Sequence, residues 1–422
     1  MSAIDQLLDG IKIPRMVRVR QTFERPVVED VEAELVNQLE RKEASSLIKP
    51  GQRVAIGVGS RGITDLPLMV KVLVREIKKA GGEPFIIPAM GSHGGANAKG
   101  QKDLLIRMGI KEEYVDAPIH ATMETVEIGA SHNGLPVHLD KYAYEADAIV
   151  VINRIKPHVG FRGPYESGLM KMIAIGLGKQ KGAAICHELG FGKMAENIPA
   201  MAKVTLEKAN LVFAVGVLEN SYHEVCRIEV LKNKEIPVAE PALQEEAKRL
   251  APRFHLDEFE VLVIDEIGKN ISGTGFDNNA VGRFHTPYAS GGPKIAKIAC
   301  LDLTAETNGN ANGLGILDFT TRRAFEKFNM EMTYPNALTS TVPMSVKIPM
   351  VLKSDQQAIQ AAVKTCNILD KEKVRMIRVK NTLSLGEIEV SESLIEEVEK
   401  NMHMEILSEP YELKFDENGN LF

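Results

Sequence analysis

The sequence predicts an α/β protein of two domains: an N-terminal parallel-sheet, Rossmann-like domain over residues 1–250 and a smaller α/β domain over residues 251–422. Two observations carry this. Short apolar runs of strand length alternate with helical periodicity through the first 250 residues, and beyond Pro252 the stretch EFEVLVIDEIG restarts a strand-led pattern. A third observation fixes the scale, since 422 residues with 44% hydrophobic and 26% charged composition give ample material for two packed cores. The cleft between the two domains is the expected place for an active site.

The first 50 residues read as a helical preamble, with VEDVEAELVNQLERKEASSL as a surface helix. Arg53–Gly59 (RVAIGVG) is a buried-strand run, and Leu66–Ala80 (LPLMVKVLVREIKKA) has helical periodicity that Gly81 and Gly82 stop. Pro84–Met90 (PFIIPAM) is a second strand, so this segment is a βαβ unit with a right-handed crossover. Ala146–Asn153 (ADAIVVIN) and Ala209–Gly216 (ANLVFAVG) supply two more strands, and Pro241–Leu250 a connecting helix. No internal repeat or low-complexity segment interrupts the order.

The bulk chemistry excludes several classes. A net charge of −6 with no basic tail disfavours nucleic acid and anionic membrane as partners. No apolar run approaches the roughly 20 residues that span a bilayer, and the N-terminus lacks the apolar core of a signal peptide. Cys186, Cys226, Cys300 and Cys366 are scattered with no CxxC pair, which argues against a disulfide framework or thiolate zinc site and fits a reducing cytoplasm.

In open parallel sheets, ligands bind outside the carboxyl ends of strands. Three loops there carry chemistry. Gly57-Val58-Gly59-Ser60-Arg61-Gly62 matches GxGxxG between a strand and a helix. It is either a phosphate cradle, with Gly57, Gly59, Ser60 and Arg61 as contacts, or a tight strand-to-helix turn. An ordinary dinucleotide site also needs a carboxylate after the next strand. That position instead leads into Met90-Gly91-Ser92-His93-Gly94-Gly95, so NAD is disfavoured. His93 in GSHGGA and His158 in KPHVGF are accessible histidines in glycine-rich loops, the placement expected of proton-transfer groups. Lys171, in ESGLMKMIAIG, is either a snorkelling lysine or one held for a purpose. His187, in AICHELGFG, is either a core histidine or a ligand. Lys179 and Lys181 are either phosphate contacts or a solvated basic turn. In the second half, GTGFDNN leads to Arg283 and His285, and ETNGNANG forms a second polar loop. Both loops are either asparagine-rich turns or donors for a hydroxylated substrate. Arg283 is the candidate to pair with a substrate carboxylate and His285 lies beside it.

From the βαβ unit through His187, the chain resembles the nickel-dependent lactate racemase family, whose members carry a nickel-pincer nucleotide. The resemblance implies that His93 and His158 are the acid–base pair, that Lys171 is bonded covalently to the cofactor, and that His187 coordinates nickel. It further implies an isomerase acting on a 2-hydroxy acid, a sugar acid included, and cofactor-biosynthesis proteins as partners; oligomeric state is left open, homo-oligomers included. The segment from His158 to Lys171 is longer than in lactate racemases, through Pro164, Tyr165 and Glu166. The activity implied is inversion at C2 by reversible hydride transfer. The competing readings are an NAD-dependent hydroxy-acid oxidoreductase and a non-enzymatic ligand-binding relative.

Overall fold

The computed structural model describes residues 2–60 and 62–422, and the chain forms two compact units. One is Glu24–Ala251; the other joins Met1–Phe23 to Pro252–Phe422. The first 23 residues therefore depart from the helical preamble expected of them. Strand β1 (Met16–Gln21) alternates buried and exposed side chains, with Arg18 and Arg20 facing out. That period-2 pattern is the mark of a half-buried strand. Downstream, the helix Val31–Arg41 starts at an Asp30 cap whose side chain accepts the Ala33 N–H.

The Glu24–Ala251 unit holds seven strands: β2 (Arg53–Val58), β3 (Glu83–Pro88), β4 (Thr125–Ala130), β5 (Pro136–Asp140), β6 (Ala148–Arg154), β7 (Leu211–Glu219) and β8 (Val225–Lys232). Five form one sheet in the order β3-β2-β6-β7-β8, parallel except for antiparallel β8 at the edge. β4 and β5 form a separate hairpin. The four parallel strands are those read from the sequence. They are legible because both faces are covered, so each is a continuous apolar run. Chain order reverses between β2 and β6, placing the switch point of the sheet at their carboxyl ends. The helix Leu66–Lys79 buries Met69, Val70, Leu73 and Ile77 against this sheet in one core. The last helix of the unit runs Ile236–Leu250, five residues earlier than Pro241, because Pro237 sits in its first turn, where the missing N–H is harmless.

The second unit is an eight-stranded sheet. With β9 (Glu258–Ile267), β10 (Lys294–Leu303), β11 (Phe319–Thr321), β12 (Met350–Leu352), β13 (Met376–Val379), β14 (Glu387–Ser391) and β15 (Met404–Ile406), its order is β12-β11-β10-β9-β13-β14-β1-β15. β12 to β13 run parallel, and β14, β1 and β15 pair antiparallel. β1 thus bridges β14 and β15, with Val17 and Val19 in this unit's core. Among the described residues no helix is long and apolar enough to cross a membrane.

A fragment of residues 24–251 is expected to unfold in one cooperative transition, because its sheet and core are complete. A fragment of residues 252–422 lacks β1, exposing β14 and stranding β15, and is expected to regain cooperative unfolding only when residues 1–23 are supplied. Calorimetry of the two fragments checks this; cooperative unfolding of 252–422 alone would refute it.

Candidate active site

Two candidate residues come together directly at the ends of β2 and β3. Ser60 Oγ hydrogen-bonds His93 Nδ1. Arg61, the other polar candidate in that loop, lies outside the described residues. The two glycines before Ser60 have a packing reason: a Cβ at Gly59 would lie 2.8 Å from Asn153 Oδ1, and one at Gly57 3.1 Å from Val151 Cγ1. The His93 loop is fastened by Gln101, a buried residue of the following helix, whose Nε2 donates to the carbonyls of Gly91 (2.9 Å) and His93 (3.1 Å).

Gln101 is itself held by Lys179. Neither phosphate contact nor solvated turn describes this lysine, which is fully buried. Its Nζ donates to the Pro88 carbonyl at 2.7 Å and to Gln101 Oε1, and lies 3.4 Å from Asp140 Oδ2. Burial pushes the Lys179 pKa down and the Asp140 pKa up, while their opposite charges pull each back. One ammonium group therefore ties the end of β3, the helix behind His93 and the end of β5 together.

His158 follows β6. Its ring Nδ1 accepts the Gly160 N–H at 3.0 Å, so the neutral ring carries its proton on Nε2. Glu166 is buried beneath the loop, and its Oε2 accepts the His158 N–H at 2.9 Å.

Lys171 ends the short helix Leu169–Lys171 and runs straight into a π-helical turn, Met172–Gly176. Wide turns of this kind concentrate at functional sites. The Met170 N–H at the helix start donates to Glu240 at 2.8 Å, and burial pushes that carboxyl up to about 8. His187 closes the helix Lys179–His187. Its Nδ1 donates to the Ala183 carbonyl at 2.7 Å, which leaves Nε2 as a lone-pair donor. Burial pushes its pKa down to about 4, and the Lys171 charge adds to the shift. Burial pushes the neighbouring Cys186 thiol up to about 12, so it is a thiol and not a thiolate ligand.

Phe191 brings these groups to one place. Its ring centroid lies 5.9 Å from that of His158 and 5.7 Å from that of His187. The Gly91 N–H donates to the Gly176 carbonyl at 3.2 Å, joining the His93 loop to the turn after Lys171. His158 and His187 thus flank Phe191, and the His93 loop is joined to the turn that follows Lys171. Sequence reasoning did not single out Glu166, Gln101, Glu240 or Phe191, which hold these loops and rings in place.

The second-unit candidates Arg283 and His285 lie in a polar, partly buried setting. Arg283 bonds Asp318 Oδ2 (3.3 Å) and the carbonyls of Ile316 (3.3 Å) and Ile295 (3.2 Å). His285 is buried, and burial with the nearby Lys269 charge pushes it down to about 4. The two polar loops are joined by Asn312 Nδ2, which donates to the Gly273 carbonyl at 2.9 Å, and within the first loop Thr274 Oγ1 donates to Asn278 Oδ1.

Residues 12–198 match the lactate racemase N-terminal domain family, a span that includes His93, His158, Lys171 and His187. Residues 12–198 of this chain thus carry a lactate racemase N-terminal domain. In fold, the chain is similar to the lactate racemase apoprotein from Thermoanaerobacterium thermosaccharolyticum, with TM-score 0.52 over 88% of this chain and 99% of that one at 15% identity. No curated protein matches it in sequence. The family match ends before Arg283 and His285 and therefore does not bear on them.

Two outcomes follow from these burials. Lys179→Met leaves Asp140 charged and unpaired in the core, so urea unfolding should show a loss of about 3–5 kcal/mol. Full retention of stability would refute the buried tie. For His285, the folded-state pKa lies below the ordinary value of 6.5. Its contribution is complete above that value and is lost as pH falls toward about 4, because only the unfolded chain takes the proton in that window. His285→Gln should flatten this part of the stability–pH curve relative to wild type.

Proposed function

We propose that this chain is a racemase or epimerase that inverts the C2 centre of a 2-hydroxy acid with a nickel-pincer nucleotide. The observation that carries the reading is the His187 ring, whose Nδ1–H is used by the Ala183 carbonyl while Nε2 stays open beside Lys171. Metal-bound histidines are oriented in this way by a partner on the other nitrogen. The residues fit the group. His187 Nε2 would hold nickel, and its low pKa keeps protons from competing at neutral pH. Among the described residues no group of three or more His, Cys, Asp or Glu surrounds it. One imidazole binds nickel weakly, so the remaining donors have to come from the organic group that Lys171 Nζ would anchor.

When bound, the nickel-pincer nucleotide supplies a reversible acceptor for the C2 hydride, which avoids a carbanion at a weakly acidic carbon. The chain's own residues manage the hydroxyl proton and exclude water. Ser60 can give or take the hydrogen at His93 Nδ1, so His93 is able to accept or donate a proton at Nε2. His158 presents Nε2–H toward the substrate oxygen, since Gly160 fills its Nδ1. Phe161 and Phe191 pack on the His158 ring and shield it from solvent. The two histidines are thus unequal at rest, one adaptable and one set as a donor.

His93→Ala and His158→Ala should each lower interconversion of the enantiomers by about 10²–10⁴-fold with nickel retained, whereas His187→Ala should lose the nickel. The chain should be produced with the cofactor-assembly proteins and nickel, and the Lys171 peptide weighed. An adduct on Lys171 with inversion of a 2-hydroxy acid supports the reading. An unmodified Lys171, or net oxidation dependent on NAD, refutes it.

A further inference from the structure

The segment Gly163–Ser167, between His158 and Lys171, is built around a carboxylate with no solvent exposure. Glu166 uses both oxygens. Oε2 accepts the His158 N–H at 2.9 Å and faces Arg162 Nη1 at 3.4 Å, while Oε1 accepts the Gly163 N–H at 3.3 Å and pairs with Lys248 Nζ at 2.8 Å. Arg162 Nη1 also donates to the His158 carbonyl at 2.7 Å, so both backbone polar groups of His158 are tied to this cluster. Next door, the Tyr165 hydroxyl donates to the Pro237 carbonyl at 2.6 Å. Lys248 and Pro237 both belong to the helix Ile236–Leu250, so the loop is fastened near each end of one helix.

The consequence concerns the histidine ring. A loop closed in this way has the Gly160 N–H aimed at His158 Nδ1, which makes Nδ1 an acceptor and places the proton of the neutral ring on Nε2. We propose that Glu166 is a positioning residue that sets the tautomer of His158, through the closed 158–166 loop, so that Nε2–H faces the substrate. The functional meaning of this inference rests on His158 as the proton-handling residue of the reading above; the tautomer itself does not depend on cofactor or substrate.

A neutral amide cannot replace the carboxylate. Both Glu166 oxygens accept hydrogen bonds, one from each side, and the NH₂ of a glutamine side chain would face donors on one of those sides. Glu166→Gln therefore has to break either the His158 side or the Gly163 side of the loop. The test is long-range proton–nitrogen NMR of the full apoprotein labelled with ¹⁵N-histidine, with the His158 signals identified by their loss in His158→Gln. Wild type should show His158 as Nε2–H, and Glu166→Gln should show a mixture with Nδ1–H. The His187 signals, with Nδ1–H bound to Ala183, report that the fold is intact. In the loaded enzyme the same variant should lose kcat by about 10²-fold, the effect of a misplaced catalytic group, with KM little changed. A wild-type His158 in the Nδ1–H form overturns the proposal, as does an unchanged tautomer in Glu166→Gln. Should that variant not fold, Glu166→Asp, whose shorter side chain cannot reach both the His158 and the Gly163 N–H, is read by the same spectrum. A mixed tautomer supports the proposal and a pure Nε2–H form overturns it. Absence of racemisation in wild type with the expected tautomer present would instead refute the proposed function and leave the positioning role standing.

Discussion

The candidate site depends on the close approach of one backbone segment to the carboxyl ends of the parallel strands. Residues 172–178 lie so near β2 and β3 that a Cβ at Gly176 would sit 2.6 Å from the Ala89 carbonyl. The Gly91–Gly176 hydrogen bond is made across that contact. Lys171 stands at one end of the segment, and the helix ending in His187 begins at the other. Moving the segment outward by the width of a methyl group would separate the anchor and ligand candidates from the histidine loops. A parallel sheet makes this arrangement available, because the strand ends open together at the switch point.

Around that contact, the two histidine loops are stiffened by opposite charges. An ammonium group, Lys179, lies behind the His93 loop, reaching it through Gln101. A carboxylate, Glu166, lies behind the His158 loop and binds its backbone directly. Buried charges are retained only when paired and hydrogen-bonded, and each of these has a counter-charge, Asp140 in one case and Lys248 in the other. Such cores give up some stability relative to an apolar filling and gain a fixed geometry. The same division appears in the rings themselves. The His93 ring meets a hydroxyl that can turn either way, and the His158 ring meets a backbone N–H that cannot.

Legibility in the sequence followed the range of the forces involved. The four parallel strands and the loops bearing Ser60, His93 and His158 were readable because complete burial writes itself as a continuous apolar run and loops follow the runs. Lys171 and His187 were readable as a pair only through the family resemblance, since each alone has an ordinary structural explanation. β1 is hidden because its outward-facing Arg18 and Arg20 dilute the apolar signal, and because its partners β14 and β15 lie more than 350 residues away along the chain. The ion pair of Arg283 with Asp318 was not legible, because its partner lies 35 residues away in a different element.

The sequence by itself determined the α/β class, the strand-end placement of the two histidines and the break between strand-led patterns after residue 250. These are properties of local periodicity, and a strand of apolar residues has no other stable place than a buried sheet. The tertiary structure alone decided which polar side chains became internal ties and which kept an open atom. Lys179, Glu166 and Glu240 look like surface charges in one dimension. They became buried supports because their partners come from other strands and helices, and hydrogen bonding in a low-dielectric interior is settled by position in space, not by order in the chain.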